Sequence, residues 1–414
     1  MSITLTDLLA QHWTDYAFRH RAQLCGAHYR AVRAVLQCRT PALGGRMYRC
    51  DDCHKPHFAY HSCNHRSCPQ CGAYDQQVWT AKQEARLLPV PYFMVTFTIP
   101  SELWSVCKKY PKELYSILIK QSAQALKDVM QTKTKGGATG FTSILHTWGR
   151  KLQHHPHVHC IVPALALRAC TPSRSSAGAR TPSRSSAGAR TPSRSSAGAC
   201  TPSRSSAGAR TPSRSSAGLG EEIVRPAKDK FLIHYRPLSV RFRSLFQAAL
   251  RKDHPDIYDA LTIEQKRSFS PKKQWNVQLQ HVGQGKTALR YLARYVCRSG
   301  FTNKRLIGYD KSGKNILLKY TPSGTKTTKI LKLSIDEFIR RWLTHILPKG
   351  FLRIRHYGFL SSAAKKSRLK IWHHLGALEP APVLPEKEPF CCPHCDGALQ
   401  YLRDIPRPQF TRAP

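Results

Sequence analysis

FTSILHTWG (141–149), then KLQHHP (151–156), then HVHCIVPAL (157–165) is the stretch on which the fold turns. Its two ends are rich in β-branched, aromatic and apolar residues, and the polar piece between them suits a hairpin connection, so both ends read as strands. Successive side chains on a strand point to opposite faces. His157 and His159 therefore share one face and Val158 takes the other. Both imidazoles can meet one divalent ion, and in a hairpin His146 would come level with them to complete a three-histidine site. Neutral imidazole suits transition metals, and with waters and a phosphate oxygen such a site also takes Mg²⁺ or Mn²⁺. An open site of this kind polarises a phosphoryl oxygen. His154 and His155 are further ligand candidates, and a set of ordinary core or surface histidines is the alternative reading.

Working outward, PYFMVTFTIP (91–100) alternates like a strand, and 75–88 and 111–130 carry helical patterns. Downstream, FLIHYRPLSVRFRSLFQAAL (231–250) reads as a strand followed by a helix from about Ser239. WNVQLQHV (275–282) reads as a strand and KTALRYLARYVCR (286–298) as a helix. On the last helix Tyr291 and Tyr295 are four residues apart, hence on one face. Lys286, Arg290, Arg294 and Arg298 form a second stripe, also spaced by four. Two phenols beside a ladder of cations are what a tyrosine nucleophile attacking a phosphodiester needs. A phenol of pKa near 10 must be activated by nearby positive charge and a metal. Two aromatic core residues with solvated arginines are the plainer alternative.

Between Gly44 and Ala73 the pattern changes to Cys, His and Gly. Cys50-x2-Cys53 and Cys68-x2-Cys71 have the spacing of a four-cysteine structural Zn²⁺ site. His57, His61, Cys63 and His65 lie between the pairs; one of them could replace a cysteine ligand, or several could hold a second ion. Cys392-x2-Cys395, with Cys391 and His394 beside it, is half of another site. Residues 1–40 look helical, and 305–360 mixes short strands with a helix at about 335–346.

The chain has 414 residues and a formal charge of +42, and 15 cysteines. The decapeptide TPSRSSAGAR recurs from Thr171 to Gly218; its Ser, Pro, Gly and Ala offer no core, so a flexible insertion is expected there. Setting aside its eight arginines, the rest still carries a large positive charge, which points to a polyanionic partner, nucleic acid before an anionic membrane. The start does not read as a signal peptide and no apolar run is long enough to span a bilayer, so an intracellular location is expected. GQGKT (283–287) is too short for phosphate-loop spacing, so no ATP site is expected.

The order of a doubled CxxC module, MVTFTIP, LHTW, HPHVH and YLARY resembles the HUH-type rolling-circle transposases of the insertion sequence ninety-one family. YHSCNHRSCPQC (60–71), RPLSVRFRSLF (236–246) and EFIRRWLTHILPKGFLRIRHYGFL (337–360) extend the likeness over roughly residues 10–375, apart from the repeat. The resemblance implies an α+β fold: a ferredoxin-like or RRM-like nuclease core with a central antiparallel sheet, preceded by a helical and zinc-ribbon-like module. It places His157 and His159 on a central strand, with His146 suited to be the third ligand of a catalytic Mg²⁺ or Mn²⁺. Tyr291 and Tyr295 are then the nucleophiles that cut single-stranded DNA at transposon ends and retain a 5′-phosphotyrosine. Single-stranded ends and target DNA are the implied partners, and the bacterial cytoplasm, at the nucleoid, the implied location.

On this reading 1–43 is a helical segment, 44–85 the zinc module, and 86–168 with 221–304 the nuclease core. Residues 169–220 are the insertion, 305–380 an α/β extension and 381–414 a Cys-rich tail. A replication initiator or relaxase, and a catalytically inactive zinc-dependent DNA-binding protein, are the competing readings. Relatives continue after the HPHVH strand with a glycine-rich turn; here PALAL and the repeats follow.

Overall fold

Two helices start the chain in the computed structural model, which describes residues 3–169, 221–224, 232–296, 300–322, 324–386 and 390–408. The first, α1 (Leu5–Arg19), is closed at its N-terminus by a reciprocal cap between Thr4 and Asp7, and α2 (Gly26–Gln37) packs beside it. A hairpin of β1 (Gly45–Cys50) and β2 (Pro56–Tyr60) follows, then α3 (Ala73–Glu84).

The next stretch builds the central domain. It comprises β3 (Tyr92–Thr98), α4 (Trp104–Lys109), α5 (Pro111–Lys133), β4 (Phe141–Trp148) and β5 (His154–Pro163). A short hairpin of β6 (Ala166–Ala169) and β7 (Glu221–Val224) follows. Then come α6 (Tyr235–Asp253), α7 (Pro255–Asp259), α8 (Ile263–Arg267), β8 (Val277–His281) and α9 (Lys286–Val296). Pairing of β4 with β5, β5 with β3 and β3 with β8 is antiparallel throughout. With α5 between β3 and β4, and α6 between β5 and β8, this is the split β-α-β, ferredoxin-like arrangement.

Side-chain alternation assigns the two faces. Phe93, Val95 and Phe97 of β3, Leu145 of β4 and Val158, Cys160 and Val162 of β5 turn to α5 and α6 and share one core with Leu118, Leu126, Phe242, Phe246 and Trp275. The Phe97–Phe242 and Phe242–Trp275 ring pairs, both with centroids 5.1 Å apart, are edge-to-face; such contacts add about 0.5–1.5 kcal/mol each beyond burial. Trp275 is wholly buried and its Nε1–H donates to the Ser268 carbonyl at 2.8 Å. The opposite face of the sheet carries Tyr92, Ile144 and Ile161, which pack with Leu289 and Leu292 of α9. Both faces being covered, β4 is buried along its whole length.

The remaining elements are β9 (Leu306–Tyr309), β10 (Asn315–Tyr320), β11 (Lys329–Ser334), α10 (Ile335–Thr344), β12 (Ile354–Tyr357), α11 (Lys365–His374) and β13 (Leu399–Ile405). Two of them return to earlier parts of the chain. β12 pairs with β4 and gives the central sheet a fifth, edge strand, and β13 pairs with β1 to make a three-stranded sheet. Leu5, Leu8 and Leu9 of α1 and Val32 and Val35 of α2 share a core with Phe338, Ile339, Trp342 and Leu343 of α10.

Two local readings differ from the expectation. No strand forms at 232–234, and α6 begins at Tyr235, because the His234 ring accepts the Arg236 N–H at 3.2 Å and Pro237 falls in the first turn, where its missing donor costs nothing. β5 begins at His154, so the hairpin connection is shorter than KLQHHP. The repeat expected to be a flexible insertion, 169–220, lies outside the described residues but for Ala169, which pairs with Glu221.

Candidate active site and zinc clusters

In the β4–β5 hairpin the residue opposite His146 is His157, and His159 stands opposite Ile144 on one side and Thr96 of β3 on the other. The three imidazoles accordingly gather on the face that carries α9. Their ring centroids are 5.3 Å (His146–His157), 4.6 Å (His146–His159) and 4.8 Å (His157–His159) apart, and one nitrogen from each lies within 4.8 Å of the others. All three are buried. Nδ1 of His157 donates to the His155 carbonyl at 2.7 Å; a carbonyl only accepts, so the proton sits on Nδ1 and Nε2 keeps its lone pair. Nδ1 of His159 is 2.9 Å from the Thr96 hydroxyl. Burial holds all three rings below the usual histidine range, His157 at about 4, so they stand neutral, the form that ligates metal. Hydrogen bonds on the nitrogen away from the ion orient metal-binding histidines, and the donor set suits a divalent ion.

The helix α9 crosses this face. Gly285, just before it, lies against Tyr92, and Gly300, just after it, lies so close to the Trp148 ring that a Cβ would fall 2.0 Å from Cε2. That indole stacks on His146, rings 5.4 Å apart and nearly parallel, while Arg353 lies 5.5 Å over it. Leu289, Leu292 and Ala293 are buried, and Tyr291 is 42% exposed on the flank of that buried stripe. The backbone of Tyr295 follows one turn on; its side chain and the whole of Arg298 lie outside the described residues. Of the expected cation ladder, Lys286 and Arg294 are exposed. Arg290 is instead held by both carboxylate oxygens of Glu84 on α3, at 2.5 and 3.2 Å. That carboxylate lies far away in sequence, which is why spacing alone could not show the pairing.

The cysteines depart from the single set expected. Cys50, Cys53, Cys68 and Cys71 do not come together. Cys68 and Cys71 join Cys38 and Cys63, while Cys50 and Cys53 join Cys392 and Cys395. The hairpin explains the split: Cys50 ends β1, and β2 then carries the chain back along the hairpin before Cys63 is reached. In the first cluster Cys71 Sγ is 3.4 Å from Cys38 Sγ and 3.6 Å from Cys63 Sγ. Thiolates at 2.3 Å from a tetrahedral Zn²⁺ would stand about 3.8 Å apart, so the sulfurs fit the ion. A hydrogen bond from Cys68 pulls the Cys63 thiol down to about 5, while the same bond and burial push Cys68 up, as expected of crowded sulfurs sharing protons. Cys63 stands among the candidates between the two pairs in the sequence. Cys38, inside a helical pattern with no partner at x2 spacing, carries no signal at all.

Two family models match parts of the chain. A family model described as "Putative transposase" matches residues 140–181 and 219–368, which hold the histidine strands and α9. The model described as "Transposase zinc-binding domain", of the IS91 type, matches residues 8–99, which hold Cys38, Cys50, Cys53, Cys63, Cys68 and Cys71. Over these two regions the chain is similar to IS91-type transposases. "Putative transposase y4qJ" of Sinorhizobium fredii (strain NBRC 101917 / NGR234) is 29% identical over 392 residues, 91% of this chain and 85% of that protein. "Transposase for insertion sequence element IS801" of Pseudomonas savastanoi pv. phaseolicola is 24% identical over 389 residues, 90% of this chain and 83% of that one. No solved structure matches. The architecture is thus α+β, and the cluster of Cys38, Cys63, Cys68 and Cys71 lies in a region similar to a transposase zinc-binding domain. Among the described residues no helix is long and apolar enough to cross a membrane.

Proposed function

We propose that the chain is a transposase that nicks and rejoins single-stranded DNA at the ends of its element through a 5′-phosphotyrosine link, the chemistry of rolling-circle transposition. One observation carries this reading: three neutral imidazoles within 4.6–5.3 Å of one another lie on the sheet face over which the tyrosine helix is laid. His146, His157 and His159 would hold a divalent ion such as Mg²⁺ or Mn²⁺, which when bound polarises a phosphate oxygen and makes the phosphorus more electrophilic.

The chain's own groups do the rest. The phenol oxygen of Tyr291 or Tyr295 loses its proton and bonds to phosphorus; the bond from phosphorus to the 3′ oxygen breaks, and that oxygen leaves as a 3′-hydroxyl. The new phosphotyrosine ester keeps the energy of the broken phosphodiester, so rejoining by another 3′-hydroxyl needs no nucleotide. The second tyrosine can attack the other strand or the target. Lys286 and Arg294, exposed on the same helix, face solvent where a DNA backbone would be neutralised. Arg290 serves a different end, fixing α9 to α3 through Glu84.

Labelled single-stranded end DNA, incubated with the protein and Mn²⁺ and then denatured, should give a covalent adduct. Tyr291→Phe and Tyr295→Phe identify the attacking phenol, and the His157→Ala/His159→Ala pair should abolish the adduct while DNA binding persists. Binding with no adduct under any divalent metal would instead support an inactive DNA-binding protein.

A further inference from the structure

We propose that the last strand of the chain completes a second, separate zinc site, a zinc ribbon whose two halves come from opposite ends of the sequence. The ligands are Cys50 and Cys53 from the first half and Cys392 and Cys395 from the second, all with sulfurs within 4.8 Å of one another. Cys395 Sγ is 3.4 Å from Cys50 Sγ, and Cys392 Sγ is 3.6 Å from Cys53 Sγ.

The two turns that carry these sulfurs are copies of one another. In the first, the Cys50 N–H donates to the carbonyl five residues on, Lys55, at 3.1 Å, and the N–H four residues on, His54, donates back to the Cys50 carbonyl at 3.1 Å. In the second, the Cys392 N–H donates to the Gly397 carbonyl and the Asp396 N–H to the Cys392 carbonyl, both at 2.9 Å. The residue four after the leading cysteine has a left-handed backbone in both, His54 with φ 55° and Asp396 with φ 56°. Each turn thereby aims two sulfurs to one side, half of a tetrahedron, and needs a facing turn to complete it.

The backbone brings the facing turn into place. β13 runs beside β1 with Leu399 opposite Cys50, and the Asp51 N–H donates to the Ala398 carbonyl at 3.0 Å. A Cβ on Gly397 would displace the exposed Asp52 carboxylate and fall 3.2 Å from Cys50 Sγ, a measure of how closely the two turns approach. His57 Nε2, 3.2 Å from Cys392 Sγ, is placed to donate to a thiolate. Four thiolates satisfy Zn²⁺ and leave no open position, so the site is structural. Loading it expels the thiol protons and fastens the C-terminal strand to the module formed by residues 45–60. The sites also separate by sequence: the cluster of Cys38, Cys63, Cys68 and Cys71 lies wholly within 8–99, whereas this one cannot form until the tail is present.

The test counts metal in the full-length chain. After removal of loosely held ions, native mass spectrometry and elemental analysis should give two zinc ions per chain, one for Cys392→Ser/Cys395→Ser and one for Cys38→Ser/Cys63→Ser. One ion in the unsubstituted chain, or two in the tail variant, would overturn the proposal. So would a mass lower by two or four hydrogens with a single zinc, which would mean disulfides across the same sulfurs. Should the tail variant fail to fold, hydrogen exchange on the unsubstituted chain decides instead. A strong chelator should expose the amides of β1 and β13 together. If they stay protected after both ions are gone, zinc is not what holds the strand.

Discussion

Replacing Thr96 by valine removes one hydroxyl and almost no volume, and the structure says what that hydroxyl does. Its oxygen lies 2.9 Å from Nδ1 of His159, a buried ring grouped with His146 and His157; with Nε2 as the ligating atom the proton sits on Nδ1 and is donated to that oxygen. Valine leaves that Nδ1–H without an acceptor, which costs about 1–3 kcal/mol for a buried donor. The ring can escape the penalty by moving its proton to Nε2, which then cannot ligate. The metal-free ring takes that escape and the metal-bound ring cannot, so metal binding weakens by the penalty, and at about 1.4 kcal/mol per tenfold this is roughly 5- to 150-fold. Loss of an outer-shell partner of a metal-binding histidine costs about 10–100-fold in affinity, an independent figure in the same range. The assay is the Mn²⁺ concentration giving half-maximal adduct formation, with calorimetric Mn²⁺ titration as a check that does not need activity. Thr96→Val should shift both by one to two decades, and Thr96→Ser, which keeps the hydroxyl, should stay near the parent. Equal Mn²⁺ dependence in the valine variant, or a serine variant as weak as the valine one, would refute the view that this bond sets the tautomer of His159.

Three more outcomes follow from burial and pairing. Burial holds His345 at about 4 and His154 at about 3, whereas both titrate near 6.5 unfolded, so below that pH the unfolded chain takes up protons that the folded chain cannot. Stability should therefore fall as pH drops from 6.5 toward 4, by about 2 kcal/mol per site at pH 5, and His345→Gln should flatten the Tm profile; an unchanged profile would contradict the assignment. Arg368 is 4% exposed and held by both oxygens of Glu379, so Glu379→Gln should lower stability in urea by about 3 kcal/mol, the low end for breaking a buried pair, since glutamine still accepts one bond. Leu292→Ala opens a cavity under α9 and should cost about 2–5 kcal/mol, reducing adduct yield more than DNA affinity if the helix must sit firmly on the sheet.

What could be read from the sequence was what is local. The stretch 91–100 alternates, 141–149 and 157–165 are rich in β-branched, aromatic and apolar residues, and the tyrosine helix has its apolar positions at helical spacing, so element type and the shared face of His157 and His159 followed directly. The level position of His146 depended only on a hairpin between neighbours. The illegible parts all involve distant partners. IRHY at 354–357 is too short to announce itself as the edge of the central sheet, and its partner β4 lies some two hundred residues earlier. The two CxxC pairs have correct zinc spacing, yet spacing names knuckles and not which knuckle faces which. Cys38, just past the end of α2, and Cys63 completed one cluster, and a pair in the tail completed the other through strand pairing that no local pattern encodes. Arg290 looked like a rung of a cation ladder because its partner is a surface glutamate on another helix.

The hairpin that joins the two metal-bearing strands is held from outside the sheet. Its turn presents three consecutive carbonyls, and each is taken by a residue of the C-terminal extension: Arg305 donates to the Arg150 carbonyl at 2.5 Å, Arg341 to that of Lys151 at 2.8 Å, and His345 Nε2 to that of Leu152 at 3.0 Å. Leu152 itself has a left-handed backbone, φ 58°, which costs a leucine about 1–2 kcal/mol and persists only where the surroundings insist on it. Its side chain is 1% exposed in the core that also holds Cys68, Cys71, Trp342 and Phe301, the last being five residues beyond Val296, where α9 ends. The first zinc cluster, the histidine hairpin and the chain leaving α9 thus meet in one apolar core. Leu152→Ala should lose about 2–5 kcal/mol there, and that loss has to appear at the histidines, because His146 and His157 are separated only by this turn. The expected signature is a raised Mn²⁺ requirement with zinc content unchanged. If the alanine variant loses stability while its Mn²⁺ requirement stays at the parent value, the turn is merely packed and does not position the metal ligands.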